Sequence, residues 1–272
     1  HPCVSMLVPC HNEADNVTLT IEALLAQEWP DFEVIAVNDA STDNTGALLD
    51  RMASRHPRLR VIHLASNQGK ATGLNTAALV ARGEYLLCVN ADAVPEPTAT
   101  YWMMRNFLFS PRVGAVTGNP RIRNRTSVLS RIQVGEFSSI IGLIKRAQRI
   151  FGRVFTVSGV ISAYRRTALQ QIGWWNNDMV TEDIDISWRL QLKHWDIHFE
   201  PKAMCWILMP ETLRGVWRQR LRWAQGGAEA FGRYFRDMLH WKSRRMWGVV
   251  VEYVLGAVWA FALVAGVLLW LT

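Results

Sequence analysis

The first 117 residues alternate short apolar runs with amphipathic ones, an order that few folds accommodate. Cys3 to Val8 reads as a strand and Asn16 to Gln27 as a helix. Phe32 to Val37, Leu59 to Leu64, Tyr85 to Val89 and Val113 to Thr117 read as further strands. Helices are predicted over Thr45 to Arg55, Ala71 to Ala81 and Pro97 to Phe109. Strands alternating with helices of about 10–15 residues predict βαβ units and a mixed, mainly parallel sheet flanked by helices. Ligands of such sheets sit beyond the carboxyl ends of the strands, so chemistry is expected at the strand tips.

Four tips are polar: Pro9-Cys10-His11-Asn12-Glu13, Asn38-Asp39-Ala40-Ser41-Thr42-Asp43, Asn67-Gln68-Gly69-Lys70 and Asn90-Ala91-Asp92. Each alone is ordinary turn chemistry, since Asn, Asp, Ser and Gly dominate turns. Asp39 to Asp43 reads equally as a turn leading into an N-cap. Four such tips on one edge point to a site.

Two later stretches add chemistry. Thr181-Glu182-Asp183-Ile184-Asp185 puts three carboxylates into four residues, after a turn-like 173–178. One use is helix initiation, with Thr181 as N-cap and the acids facing the positive end of the dipole, worth about 0.3–1 kcal/mol per charge. The other is general-base chemistry, a carboxylate taking a proton from an attacking hydroxyl. Gln219-Arg220-Leu221-Arg222-Trp223 lies in a helical pattern that starts near Glu211. Positions 219, 222 and 223 share a face and would offer an amide, a guanidinium and an indole together. Arg forks across a diphosphate, and an indole plane suits the C–H face of a sugar. The same three side chains would also serve an interfacial helix at headgroup depth.

With 272 residues the chain can fill one large domain or two smaller ones. A formal charge of +7 predicts anionic partners. Nucleic acid is not expected, because no reader motif or aromatic–basic repeat occurs. The four cysteines, Cys3, Cys10, Cys88 and Cys205, form no C-x-x-C pair or zinc spacing and suit a reducing compartment. The opening His1-Pro2-Cys3 lacks a Met, a basic n-region and an apolar h-region, so an excised fragment without a signal peptide is expected.

Met246 to Thr272 is apolar except for Glu252. As a helix it would span about 40 Å, against a bilayer core of about 30 Å. Lys242, Arg244 and Arg245 precede it and predict that the chain before them faces the cytoplasm. A buried core helix is the alternative. Arg121, Arg123, Arg125 and Arg131 open a basic stretch, and Ser127 to Ile150 comes next with a helical pattern. Its apolar residues are set against Lys145, Arg146 and Arg149, as on a membrane surface or against the sheet. Phe155 to Gly159 reads as a β-like run and Ile197 to Leu208 as another strand. The expected organisation is a catalytic domain over 1–240, with interface helices at about 125–150 and 211–240, then a transmembrane helix over 246–272.

Together these motifs resemble the processive family-2 glycosyltransferases of membranes, such as cellulose, chitin and hyaluronan synthases. Their signature joins a D-x-D, a T-E-D and a Q-x-x-R-W motif. The wording is more similar still to bacterial poly-β-1,6-N-acetylglucosamine synthases of biofilm formation, on Val113 to Arg123, Ser138 to Lys145, Thr181 to Trp188 and Trp206 to Thr212. The resemblance implies a GT-A fold and an inverting enzyme of the bacterial inner membrane that faces the cytoplasm. It implies polymerisation of N-acetylglucosamine from UDP-GlcNAc with Mg2+ or Mn2+. The growing polysaccharide, membrane lipid and a small accessory membrane subunit are the implied partners.

Carried over by position, Asp183 would be the general base. Asp39 would contact the uracil, with Pro9, Asn12 and Glu13 around it. Asp92 would hold the metal, with Asn90, Lys70 and Glu182 elsewhere along the nucleotide sugar. Gln219, Arg222 and Trp223 would bind the diphosphate and acceptor, and Ser158 and Gly159 would form a backbone finger beside the acceptor. Asn90 departs from D-x-D and removes a charge, which predicts metal binding that depends on the nucleotide. His11 stands where relatives often carry Tyr. The alternatives are another sugar or linkage, as in chitin, hyaluronan or cellulose, and a catalytically impaired nucleotide-sugar-binding regulator.

Overall fold

In the computed structural model, residues 1–150 and 153–271 are described, except for the side chains of 140 and 141. Thr272, the last residue of the expected apolar helix, lies outside the described residues. One eight-stranded sheet organises the chain: β1 (Val4–Cys10), β2 (Phe32–Asp39), β3 (Leu59–Leu64), β4 (Tyr85–Val89), β5 (Val94–Pro95), β6 (Val113–Ile122), β7 (Ile161–Arg165) and β8 (Asp196–Ile207). Its order is β3-β2-β1-β4-β7-β6-β8-β5. The strands β3, β2, β1 and β4 run parallel, as do β6 and β8, while β7 is antiparallel to both of its neighbours.

Register sets the position of the tips. Val4 lies opposite Phe32 on one side and Tyr85 on the other, so β1, β2 and β4 end on a common edge. Cys10 then faces Asn38, and Asp39 faces Leu64 of β3. The four polar tips read from the sequence therefore converge.

The helices are α1 (Val17–Leu25), α2 (Thr45–Ala53), α3 (Lys70–Val80), α4 (Ala99–Phe109), α5 (Val128–Ser139), α6 (Lys145–Ile150), α7 (Arg166–Ile172), α8 (Glu182–Leu192), α9 (Leu213–Leu239) and α10 (Trp247–Leu271). A π-helical turn over Ile140–Ile144 joins α5 to α6, and a 3-10 turn over Trp241–Met246 leads into α10. Alternate strand residues divide between two cores, as a doubly covered sheet requires. Met6, Val8, Val34 and Ala36 pack with α1, α2 and α4. Leu7, Ile35, Val37 and Leu86 pack with α3, α7 and α8. A third cluster joins Ile184 and Trp188 of α8 to Ala230, Tyr234 and Met238 of α9 and to Val249 of α10.

Two sequence expectations fail here. Phe155 to Gly159 is not a strand. Its neighbourhood is irregular because its N–H groups go to side chains: Val157 to Ser187 Oγ at 2.9 Å, Ser158 to Thr117 Oγ1 at 2.8 Å and Gly159 to Asp183 Oδ2 at 3.2 Å. The strand starts later, at Ile161. Lys145 does not lie on an exposed polar face either. The π turn immediately before it adds a residue to the helical turn and rotates α6 about its axis, and Lys145 is buried.

Among the described residues, one helical run, Trp241–Leu271, is long and apolar enough to cross a membrane, and its apolar window is not buried against the rest of the protein.

Trp188 ties α8 to α9 and α10. It is fully buried, its indole N–H donates to Phe155 O at 2.9 Å, and its ring meets Phe155 and Tyr253 edge-on. Trp188→Ala is expected to destabilise the protein by about 3–5 kcal/mol. The check is a lowered thermal midpoint in detergent.

Candidate active site

The tips of β1 and β2 are stitched together. Asn12 has a positive φ of 55°, and Ala40 one of 50°, a left-handed backbone that non-glycine residues adopt sparingly and that clusters at functional sites. The Asn12 side-chain oxygen accepts the Thr42 N–H at 2.8 Å, and its own N–H donates to Ser41 Oγ at 3.0 Å. Glu13 donates its N–H to Thr45 Oγ1 at 2.8 Å. His11 Nδ1 donates to the Asp39 carbonyl at 2.8 Å, because a carbonyl can only accept. Its Nε2 is then free to accept from Asn67 Nδ2 at 3.0 Å.

Asp39, buried beneath this edge, accepts the Gln68 N–H on Oδ1 and the Gly69 N–H on Oδ2, each at 2.8 Å. Gly69 has φ +84°, which suits glycine and turns the chain into α3. The next residue, Lys70, is thereby aimed across the sheet edge. Its Nζ donates to Gly159 O at 2.9 Å and pairs with Glu182 Oε1 at 2.5 Å.

Glu182 and Asp183 open α8. Thr181 sits at the N-cap, yet its hydroxyl makes no capping bond, so the expected side-chain cap is not formed. Its Oγ1 is buried without a partner, against Gly226 of α9. Asp183 Oδ1 accepts the Ile184 N–H at 2.9 Å, and Oδ2 accepts the Gly159 N–H at 3.2 Å. Burial, and then the charge of Glu182, push the Asp183 carboxyl up to about 6, with Lys70 and Lys145 pulling against them. Burial also opposes ionisation of Glu182. The Lys70 ammonium outweighs it by charge and hydrogen bond, with Arg222 adding to the effect, and brings Glu182 below the usual carboxylate range. Adjacent carboxylates thus divide: one is a committed anion, the other titrates near neutrality.

Lys145 is the site residue that sequence reasoning missed. Burial lowers its ammonium to about 8, against the opposing charge of Asp183. The only sequence signal was its place at the end of the 138–145 stretch that carries the resemblance; the helical pattern pointed it outward.

Asp92 lies close enough to Glu13 for their charges to interact, and burial raises both carboxyls. Lys70 opposes this at Asp92. Asn90 Oδ1 is buried and has no hydrogen-bond partner. Among the described residues no group of three or more His, Cys, Asp or Glu could hold a metal ion. One carboxylate beside one orphaned amide oxygen nevertheless fits a hard cation that takes most of its ligands from phosphate and water.

The Q-x-x-R-W residues lie on α9, as the pattern predicts. Gln219 Oε1 is buried and unpartnered. Arg222 is exposed but acts electrostatically on Glu182. Arg220 lies 4.6 Å over the Trp223 ring and pairs with Glu136 of α5 at 2.5 Å, while Phe137 packs on Trp223. Other bonds fasten α9 to α8 and to the loop before it. Arg233 pairs with Asp178 at 2.7 Å, Tyr234 donates to the buried Asp185 at 2.5 Å, and Glu229 accepts the Val180 N–H at 3.2 Å. Lys70, Gly159, Glu182 and Asp183 thus meet directly; Asp39 joins them through the 68–69 backbone, and Asp92 and Arg222 through their charges. Pro9 packs against Gly73 of α3, where a side chain would come within 3.2 Å of Pro9 Cβ.

A family model described as "Glycosyltransferase like family 2" matches residues 1–226. A poly-beta-1,6-N-acetyl-D-glucosamine synthase of Staphylococcus epidermidis is 41% identical over 261 residues, covering 96% of this chain and 63% of the relative. The synthase of Staphylococcus aureus strain MW2 is 41% identical over 258 residues, covering 95% of this chain and 62% of the relative. The chain therefore spans somewhat less than two thirds of the length of these relatives. In fold it is similar to the mannosyltransferase PcManGT of Pyrobaculum calidifontis, solved with GDP-Man and Mn2+, at TM-score 0.72 and 23% identity over 99% of this chain and 81% of that one. It is also similar to residues 1–349 of Staphylococcus aureus TarS, solved with UDP-GlcNAc, at TM-score 0.60 and 21% identity over 77% and 59% of the two chains. The helix-flanked, mostly parallel sheet is the GT-A class expected from the resemblance.

Gly226 lets α9 approach Thr181, and a Cβ there would overlap the Thr181 side chain. Gly226→Ala is expected to force α9 off Thr181 and the start of α8, at about 1–3 kcal/mol or more of overpacking. A thermal midpoint indistinguishable from wild type would contradict that close contact.

Proposed function

We propose, since this chain belongs to the glycosyltransferase-like family 2, that it is the catalytic part of a membrane-bound, inverting glycosyltransferase that polymerises N-acetylglucosamine from UDP-GlcNAc into a β-1,6-linked exopolysaccharide. The observation that carries this reading is the pair Glu182–Asp183. A carboxylate with raised proton affinity faces the Gly159 loop, beside one held as an anion by Lys70. The 41% identical synthases support the sugar and linkage, and the nucleotide-sugar complexes of the solved relatives support the donor class.

In this reading the acceptor hydroxyl oxygen attacks the anomeric carbon and its proton passes to Asp183. The bond to the diphosphate breaks on the opposite face, so an α-linked donor yields a β-linked product. Pro9, Asn12, Glu13 and Asp39 surround the base, Asp39 doing so while it fixes the 68–69 backbone. Lys70 and Glu182 shape the sugar pocket, and Ser158 and Gly159 guide the acceptor. Gln219, Arg222 and Trp223 close the far wall, with a guanidinium ready for phosphate oxygens and an indole for the sugar. A divalent cation, Mg2+ or Mn2+, when bound, neutralises charge on the diphosphate, and Asp92 with the Asn90 amide oxygen would hold it. The exposed apolar run of α10 crosses the bacterial inner membrane, with the catalytic part in the cytoplasm. Membrane lipid and a small accessory membrane subunit complete the assembly.

Full-length protein in membranes, given UDP-GlcNAc, should form polymer whose linkage analysis reads β-1,6. Asp183→Asn is expected to cut turnover by about 10²–10⁴ or more while sparing UDP binding. Wild-type protein that binds UDP yet turns nothing over would instead favour the regulator reading.

The base must be ionised to accept a proton, so activity should fall as pH drops through about 6. The positive charge of Lys145 lowers the Asp183 carboxyl. Lys145→Gln should therefore move the acid limb of the kcat/KM profile to higher pH, which a pH–rate series measures directly.

A further inference from the structure

A second cavity, of about 320 Å³, lies away from the candidate active site, between α4, α6 and β8. Three cations line it, Arg105, Arg149 and Lys202, against one acid, Glu200. None of the three forms an ion pair among the described residues. The Arg105 guanidinium rests over the rings of Trp102 at 4.9 Å, Phe109 at 5.5 Å and Tyr101 at 5.9 Å. Lys202 Nζ lies 4.1 Å from the Trp102 ring centre. Arg149 donates to the Phe199 carbonyl at 2.8 Å and to Asn106 Oδ1 at 3.5 Å, both uncharged acceptors. Glu200 spends its oxygens on neutral donors, Asn106 Nδ2 at 3.0 Å and the Lys202 N–H at 3.1 Å. The remaining titratable group, His198, is driven toward its neutral form by burial and by Arg149.

The cavity therefore carries net positive charge and a set of N–H donors that the protein leaves without acceptors. Aromatic rings hold two of the cations in place, so little order is lost when an anion arrives. Forked and pointlike donors around one hollow match the tetrahedral oxygens of a phosphate ester.

The setting indicates where that ester comes from. Arg149 is next to Gln148, which donates to Glu252 of α10 at 2.7 Å. The cavity thus sits beside the start of the apolar helix. Phe109, which lines it, is 77% exposed and Ile150, next to Arg149, is 83% exposed, two apolar side chains offered outward. We propose that this cavity is a phosphate-ester site, filled by the headgroup of an anionic membrane lipid with its acyl chains along α10 and the Phe109–Ile150 rim. The lipid source rests on the reading of α10 as a membrane span; the phosphate site does not.

The test uses full-length protein in neutral detergent, with UDP present to fill the donor site. Dihexanoyl phosphatidylglycerol, dihexanoyl phosphatidylcholine and glycerol 1-phosphate are titrated in turn while the thermal midpoint is monitored. The anionic lipid is expected to bind about tenfold more tightly than the zwitterionic one. Arg105→Gln with Lys202→Gln should lose about fivefold or more of that affinity, with UDP binding unchanged. Glycerol phosphate binding as tightly as the lipid, and lost in the same variant, keeps the phosphate site but overturns the lipid source. A double variant that binds all three probes as wild type does overturns the proposal. Should that variant fail to fold, Lys202→Gln alone, on an exposed side chain, carries the same comparison with a loss of about twofold expected.

Discussion

Everything at the candidate active site depends on where the Lys70 ammonium sits. It bonds Glu182 and the Gly159 carbonyl, and its charge also reaches Asp183 and Asp92. The pair is only half-buried, so removing one partner should cost less than the about 3–5 kcal/mol of a fully buried pair, but a charge would still be left poorly compensated. Two consecutive carboxylates at the start of α8 could not share this setting without such a cation. Lys70 in turn holds its place through Asp39, which captures the two amides just before it. The run of constraint goes from the tip of β2, through the 67–70 loop, to the start of α8. Its consequence is chemical: Glu182 takes the ion pair, and Asp183 is left as the acid whose proton can come and go near neutral pH.

Around that centre the helices after the sheet form a frame. Gly226 allows α9 to touch the loop before α8, and the Arg233–Asp178 and Tyr234–Asp185 bonds secure it. Asp185 is fully buried and also takes Arg189 in a salt bridge at 2.6 Å, so the third acid of the cluster is held in the frame while the second keeps a raised proton affinity. On its other side α9 meets α5 through Arg220–Glu136 and Trp223–Phe137. Arg222, whose charge reaches Glu182, is therefore carried on the same helix that reaches toward α10. Any shift of α9 would move the start of α8, and with it Glu182 and Asp183.

The strands and their polar tips were legible because they depend on local pattern: apolar runs of about the right length, each closed by turn residues. Leu59–Leu64 and Tyr85–Val89 match residue for residue. The features that the sequence hid depend on partners far along the chain. The 155–159 segment has a β-like composition, yet its N–H groups bond to side chains of Ser187, Thr117 and Asp183 rather than to a strand partner. Strand β7 and helix α7 come after it and went unread, and β7 enters the sheet antiparallel between β4 and β6, an order that periodicity does not encode. A regular helix over 127–150 would point Lys145 outward, but the π turn at Ile140–Ile144 turns it inward. In the Thr181 stretch the two uses weighed against each other coexist: α8 does begin there, but the threonine supplies close packing against Gly226 rather than a cap.

The departure at Asn90 becomes intelligible in the same electrostatic terms. Glu13, Asp92, Glu182 and Asp183 already crowd one edge of the sheet, and burial raises the carboxyls of Glu13, Asp92 and Asp183. A further aspartate at position 90 would add a fifth acid beside Asp92 before any ligand arrived, and like charges in a buried site drive one another toward protonation. The amide keeps an oxygen for coordination without that repulsion. It also leaves Asn90 Oδ1 buried with no donor, a state that costs about 1–3 kcal/mol until a ligand relieves it. Gln219 Oε1 on α9 is likewise buried and unpartnered. Each such oxygen carries a cost in the free protein that a cation or an N–H or O–H donor reaching it would remove.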